Sequence, residues 1–169
     1  MNMRKIGTDE VSAIGLGCMG ITHASGAPMS IEDGAKVIET AHDLGYTLFD
    51  TAECYTGVYP DGTTAYNEEV VGKGIKSFRN EIFLASKCGV QHGGDHLILD
   101  SSPETIRKSV EGSLKRLGTD HIDLYYQHRI DPKVEPETVA ETMAALIKEG
   151  KTVSYTHLRA HETLANIVC

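Results

Sequence analysis

The chain has 169 residues, of which 40% are hydrophobic and 24% charged, and a formal net charge of -8. Those values suit a single globular domain and exclude a disordered chain. There is no run of Lys and Arg to displace counterions from nucleic acid, and no stretch near the ~20 apolar residues that span a bilayer. Neither nucleic acid nor a membrane is therefore an expected partner. The N-terminus lacks an apolar secretory stretch. Cys18, Cys54, Cys88 and Cys169 are scattered without C-x-x-C spacing. Free thiols in a reducing cytoplasm are the simplest expectation.

In chain order, residues 4–13 read as two short strands around Gly7-Thr8-Asp9, and residues 13–17 as a short apolar strand. A loop follows through Gly26 and Pro28. Ser30, with Asp33 three residues on, resembles a capping arrangement. The helix it opens has Val37, Ile38, Ala41 and Leu44 as its apolar stripe and Gly45 as its stop. A strand runs to Ala52. A loop over 56–65 leads to a helix over 67–77. The strand 82–86 gives way to a polar loop. Ser102-Pro103-Glu104 supplies an N-cap, a proline at the first helical position and a first-turn acid. Ile106, Val110, Leu114 and Leu117 form that helix's stripe, and Gly118 ends it. Strand 122–127 comes next. A helix then opens at Pro136-Glu137, with Val139, Met143, Leu146 and Ile147 inward and Gly150 as the stop. This alternation predicts a parallel sheet with right-handed crossovers.

Three of the predicted strands finish on titratable groups: Asp50, Lys87 and His128, with Tyr55 five residues beyond the first. In a parallel α/β barrel the C-terminal strand ends meet on the face that carries the chemistry. The motifs are V-S-A-I-G-L-G-C-M-G from Val11, F-D-T-A-E-C-Y from Phe49 and N-E-E-V-V-G-K from Asn67. A-S-K from Ala85 and S-L-K-R-L-G-T-D-H-I-D-L-Y-Y-Q-H from Ser113 follow. In this order and spacing they resemble the N-terminal half of an aldo-keto reductase, from Arg4 to about Lys151. The resemblance implies about four β/α units, the first half of an eight-stranded TIM-type (β/α) barrel, preceded by a short hairpin. It also implies reduction of small aldehydes or ketones with NADP(H) and a catalytic tetrad of Asp50, Tyr55, Lys87 and His128. Gly17, Cys18, Met19 and Asp50 would lie beside the cofactor.

The roles make chemical sense. Tyr55 can give a proton to a developing alkoxide, and an ammonium at Lys87 favours the phenolate left behind. Asp50 can hold Lys87 charged, and His128 can donate to the substrate oxygen or relay a proton. An Asp50–Lys87 ion pair at a sheet rim, with Tyr55 and His128 merely nearby, is the plain alternative. A non-catalytic cofactor sensor on the same barrel, or an inactive fragment, is the functional one.

Other motifs read more simply. Gly15-Leu16-Gly17-Cys18-Met19-Gly20 matches a dinucleotide fingerprint, but no helix opens at the glycines to meet a pyrophosphate. His92-Gly93-Gly94-Asp95-His96 has too few ligands for a metal and reads as a polar loop. Asn67-Glu68-Glu69 reads as a helix N-terminus and Lys115-Arg116 as a solvated helix end. Past Lys151, V-S-Y-T-H-L-R-A-H-E-T resembles translated sequencing-adapter read-through. Residues 152–169 are thus expected to be a non-native tail on a truncated reading frame. The alternative is a genuine strand and helix, with His157 and His161 at metal-binding spacing. A half-barrel would have open sheet edges and scope for self-association.

Overall fold

The structure is a computed structural model describing residues 1–94 and 96–157. Asp95 of the His92–His96 motif, and His161 and Cys169 of the expected tail, lie outside the described residues.

β1 (Met3–Ile6) and β2 (Asp9–Ser12) form an antiparallel hairpin, with Gly7 at φ +60°, where a side chain would be strained. β3 spans only Leu16–Gly17, shorter than the expected 13–17, and a 3-10 turn at Met19–Ile21 follows it. α1 (Ile31–Asp43) is capped by Ser30, whose Oγ accepts from the Asp33 N–H at 3.0 Å. β4 is Leu48–Asp50. The expected loop over 56–65 is instead largely a hairpin of β5 (Thr56–Val58) and β6 (Thr64–Tyr66), leading directly into α2 (Asn67–Ile75). β7 (Phe83–Cys88) runs two residues past the expected end. The polar loop after it is also a hairpin, β8 (Val90–Gly93) with β9 (His96–Leu99). α3 (Pro103–Leu117) starts under the Ser102 cap and stops at left-handed Gly118. β10 (Ile122–Gln127), α4 (Pro136–Lys148) and β11 (Thr152–His157) complete the described chain.

The main sheet has the order β11-β10-β7-β4-β3, with every pair parallel. Its two faces differ. Leu84, Cys88, Ile122 and Tyr125 point into a layer with Ile38, Val71, Ile106 and Met143 of the helices. Phe83, Ala85 and Leu124 point the other way, where Val11 and Ile6 of the first hairpin close over them. The hairpin thus seals the N-terminal end of the helix-free face and leaves its C-terminal end open.

The helix stripes need correction. In α1 the buried positions are Gly34, Ala35, Ile38 and Ala41, while Val37 and Leu44 are exposed. The reason is close packing on α2. A Cβ at Gly34 would lie 2.5 Å from Val70 Cγ1, and one at Gly74 would lie 2.8 Å from Ile38 Cβ. Small residues set the contact, and Val37 and Leu44 are turned out to line a groove of about 600 Å³ with Leu16, Met29 and Tyr46. In α4, Val139, Met143 and Leu146 are buried, but Ile147 is 37% exposed.

Candidate active site

Period-two alternation explains how three of the four titratable groups meet. Asp50 ends β4 on the face of Leu48, Lys87 follows Phe83 and Ala85 on β7, and His128 follows Leu124 and Tyr126 on β10. Register fixes their depth, since Asp50 pairs with Ala85 and Tyr126 with Lys87. Tyr55 comes from the turn after β4, where its N–H donates to Ala52 O at 3.1 Å.

Lys87 is the centre. It is 4% exposed, and its Nζ donates to Asp50 Oδ1 at 2.5 Å, Thr51 O at 2.8 Å and Tyr55 Oη at 3.1 Å. An ammonium has three N–H donors and no acceptor. Each therefore has a partner, and the Tyr55 oxygen accepts. The phenolic proton must point away from Lys87. Burial pushes the Asp50 carboxyl up, and the Lys87 ammonium works against that shift. His128 lies edge-on to Tyr55, with ring centroids 5.7 Å apart. Burial, then Lys87 and Arg129, lowers its pKa to about 4, so the imidazole is neutral at neutral pH. The plain ion pair of Asp50 and Lys87 is present, but Tyr55 belongs to the same hydrogen-bonded unit.

The predicted cofactor contacts separate. Gly17 ends β3 beside Asp50, and a Cβ there would meet nothing within 4 Å. Met19 is 39% exposed. Cys18 instead is fully buried, with its thiol toward Leu16 O, its N–H on Asp50 O and its carbonyl held by Asn67. It does not reach the open face.

Residues whose roles are not visible in the sequence fasten the site from behind. Asn67 is fully buried. Its Oδ1 accepts from Thr51 Oγ1 at 2.6 Å, its Nδ2 donates to Cys18 O and Thr22 Oγ1, each at 2.9 Å, and its N–H donates to Tyr55 O at 3.0 Å. One residue, through its side-chain amide and its backbone N–H, thus ties together the ends of β3 and β4 and the tyrosine turn. Glu68, 1% exposed, accepts from Ser86 Oγ at 2.6 Å and Arg116 Nε at 2.7 Å. Arg116 is therefore not a solvated helix end, and its guanidinium also lies over the Tyr66 ring at 5.4 Å. The N-E-E motif was the available signal. His92 Nε2 bonds Cys54 O at 3.0 Å, and His23 Nδ1 bonds Thr56 O at 2.8 Å, so two imidazoles grip the carbonyls on either side of Tyr55. No group of three or more His, Cys, Asp or Glu among the described residues is placed to hold a metal.

Comparison with known proteins bears on family and fold. Residues 13–156 match the Aldo/keto reductase family. "Probable aldo-keto reductase 1" of Glycine max is 42% identical over 151 residues, covering 87% of this chain and 42% of the relative. "Aldo-keto reductase yakc [NADP(+)]" of Schizosaccharomyces pombe is 41% identical over 152 residues, covering 88% and 42%. Among solved structures, aldo-keto reductase AKR11C1 from Bacillus halodurans in its holo form superposes with a TM-score of 0.76 at 30% identity. The match covers 94% of this chain and 51% of that one. The chain spans about two fifths of the length of the curated relatives it matches. Its parallel sheet and helices correspond to about half of a (β/α)8 barrel. By family match and by fold, the chain belongs to the aldo/keto reductase family.

Proposed function

We propose that this site is the proton-donating half of an NADP(H)-dependent reductase of small aldehydes and ketones, with Asp50, Tyr55, Lys87 and His128 as its catalytic residues. The observation that carries the reading is the buried Lys87 ammonium bridging Asp50 and Tyr55. All three of its protons are engaged, so the tyrosine proton is aimed at the open face. There it can pass to the oxygen of a reacting carbonyl, and the charge left on Tyr55 forms 3.1 Å from an ammonium. Asp50 holds that ammonium in place. Neutral His128 orients the carbonyl oxygen through a ring N–H.

The open space at Gly17, the exposed Met19 and the part-exposed Asp50 fit one edge of a bed for a flat ring. A bound nicotinamide would supply the hydride. The preference for NADP(H) draws on the printed name of the fission-yeast relative. A reducing compartment such as the cytoplasm suits Cys18, Cys54 and Cys88, which are buried free thiols.

The test is NADPH-dependent reduction of small aldehydes and ketones by a protein of the relatives' full length. Tyr55→Phe should lower turnover by about 100- to 10,000-fold, the usual range for a general acid, with cofactor binding retained. Turnover unchanged in that variant would falsify the role.

A further inference from the structure

We propose that Cys54 is a positioning residue that fixes the tautomer of His128 and keeps the ring proton on Nε2. The inference rests on the reading of His128 as a donor to the carbonyl oxygen, and it concerns how that donor is made available. Cys54 Sγ lies 3.4 Å from His128 Nδ1. Its backbone is held in place, because Cys54 O takes hydrogen bonds from His92 Nε2 at 3.0 Å and from the Thr56 N–H at 2.9 Å. The thiol is therefore aimed from a fixed turn, the same turn that carries Tyr55.

A neutral imidazole has one N–H and one lone pair, so the proton can sit on either nitrogen. His128 is neutral, its pKa lowered to about 4, and the Cys54 thiol keeps its proton, with burial raising it to about 11. Two arrangements are then open. In one, Nδ1–H donates to sulfur. The buried thiol proton then lacks this imidazole acceptor, and Nε2 carries only a lone pair, which cannot donate to a carbonyl. In the other, S–H donates to the Nδ1 lone pair and Nε2 keeps the proton. Imidazole nitrogen is a strong acceptor and thiol sulfur a weak one, so the second arrangement is favoured. It is also the tautomer that can donate to a substrate oxygen. The charges of Lys87 and Arg129 disfavour a second proton on the ring.

The test is nitrogen-15 NMR of the histidines in the 169-residue chain at neutral pH, comparing the parent with Cys54→Ala and Cys54→Ser. The parent should show a protonated Nε2 and an unprotonated Nδ1 at His128. Cys54→Ala should shift the tautomer ratio toward Nδ1–H by roughly fivefold, which corresponds to one hydrogen bond of about 1 kcal/mol. Cys54→Ser keeps a donor and should retain the parent ratio. A ratio unchanged in Cys54→Ala, a parent with its proton on Nδ1, or a His128 signal at the averaged values of an unfolded chain would each overturn the assignment. The readout does not depend on turnover. Failure of the full-length protein to reduce carbonyls would remove the proposed activity and leave the tautomer result standing. An unchanged ratio would remove the role of Cys54 and leave the activity standing.

Discussion

Arg116→Met should destabilise the chain by about 3 kcal/mol, a loss that comes from the carboxylate it leaves behind. Glu68 is 1% exposed, whereas the Arg116 side chain is 22% exposed. The pair is joined by Nε–Oε2 and Nη2–Oε2 contacts, both 2.7 Å. Hydrogen bonds to charged groups contribute about 1.5–3 kcal/mol each, and breaking a buried pair from one side costs about 3–5 kcal/mol. Ser86 still donates to Oε1, and water can enter where the arginine was, so the lower part of that range applies. Methionine retains most of the aliphatic stem, so the loss is confined to hydrogen bonds and charge, the guanidinium's contact with the Tyr66 ring included. The assay is urea unfolding followed by circular dichroism at fixed protein concentration. The double variant Arg116→Met, Glu68→Met should be more stable than Arg116→Met alone, because it removes the stranded charge. A single-variant loss below about 1 kcal/mol, the value of an exposed ion pair, would refute this account.

Gly72→Ala places a Cβ 2.5 Å from Leu117 O and 2.7 Å from Leu117 Cα, both backbone atoms that cannot swing aside. Overpacking of about 1–3 kcal/mol should outweigh the ~1 kcal/mol helix-propensity gain, so a higher urea midpoint would contradict this close approach of α2 to the end of α3. For His128, whose folded pKa of about 4 lies below its ordinary value of 6.5, the unfolded chain binds more protons between those limits. Stability is therefore full above about pH 6.5 and declines as pH falls toward 4, by about 1–2 kcal/mol after allowing for partial solvent access. His128→Asn should flatten that part of the pH–stability curve, and an unaltered slope would count against a neutral, half-buried imidazole. β3 and β11 each have one free edge among the described residues, so light scattering should reveal assemblies that grow with concentration. A monodisperse monomer at high concentration would remove that expectation.

Local signals were legible in the sequence where one residue type does one physical job. The Ser102 cap, Pro103 and Gly118 delimit α3 without help from the rest of the chain, and β10 was read to the residue. Asp50, Tyr55, Lys87 and His128 were legible because apolar runs stop at three of them. The hairpins β5–β6 and β8–β9 were not, since glycine and polar residues obscure the alternation that marks a strand. Val37 and Leu44 misled because helical spacing gives a face but not what the face meets. Glycines on α1 and α2 decided that contact. Arg116 misled for a related reason. A long polar side chain at a helix end looks solvated until tertiary structure supplies a buried partner.

The order of strands in the sheet follows their order in the chain, β3 to β4 to β7 to β10 to β11. Each strand joins an edge completed just before it, so none has to wait for a partner made later. During synthesis, when segments that emerge first can fold first, the site can therefore be assembled stepwise. Asp50 and Tyr55 take their places as β4 docks, Lys87 arrives with β7, and His128 arrives at the end of β10. Once His128 has emerged, all four residues of the candidate site are outside the ribosome, and a chain of that length has every group needed to form the lysine bridge.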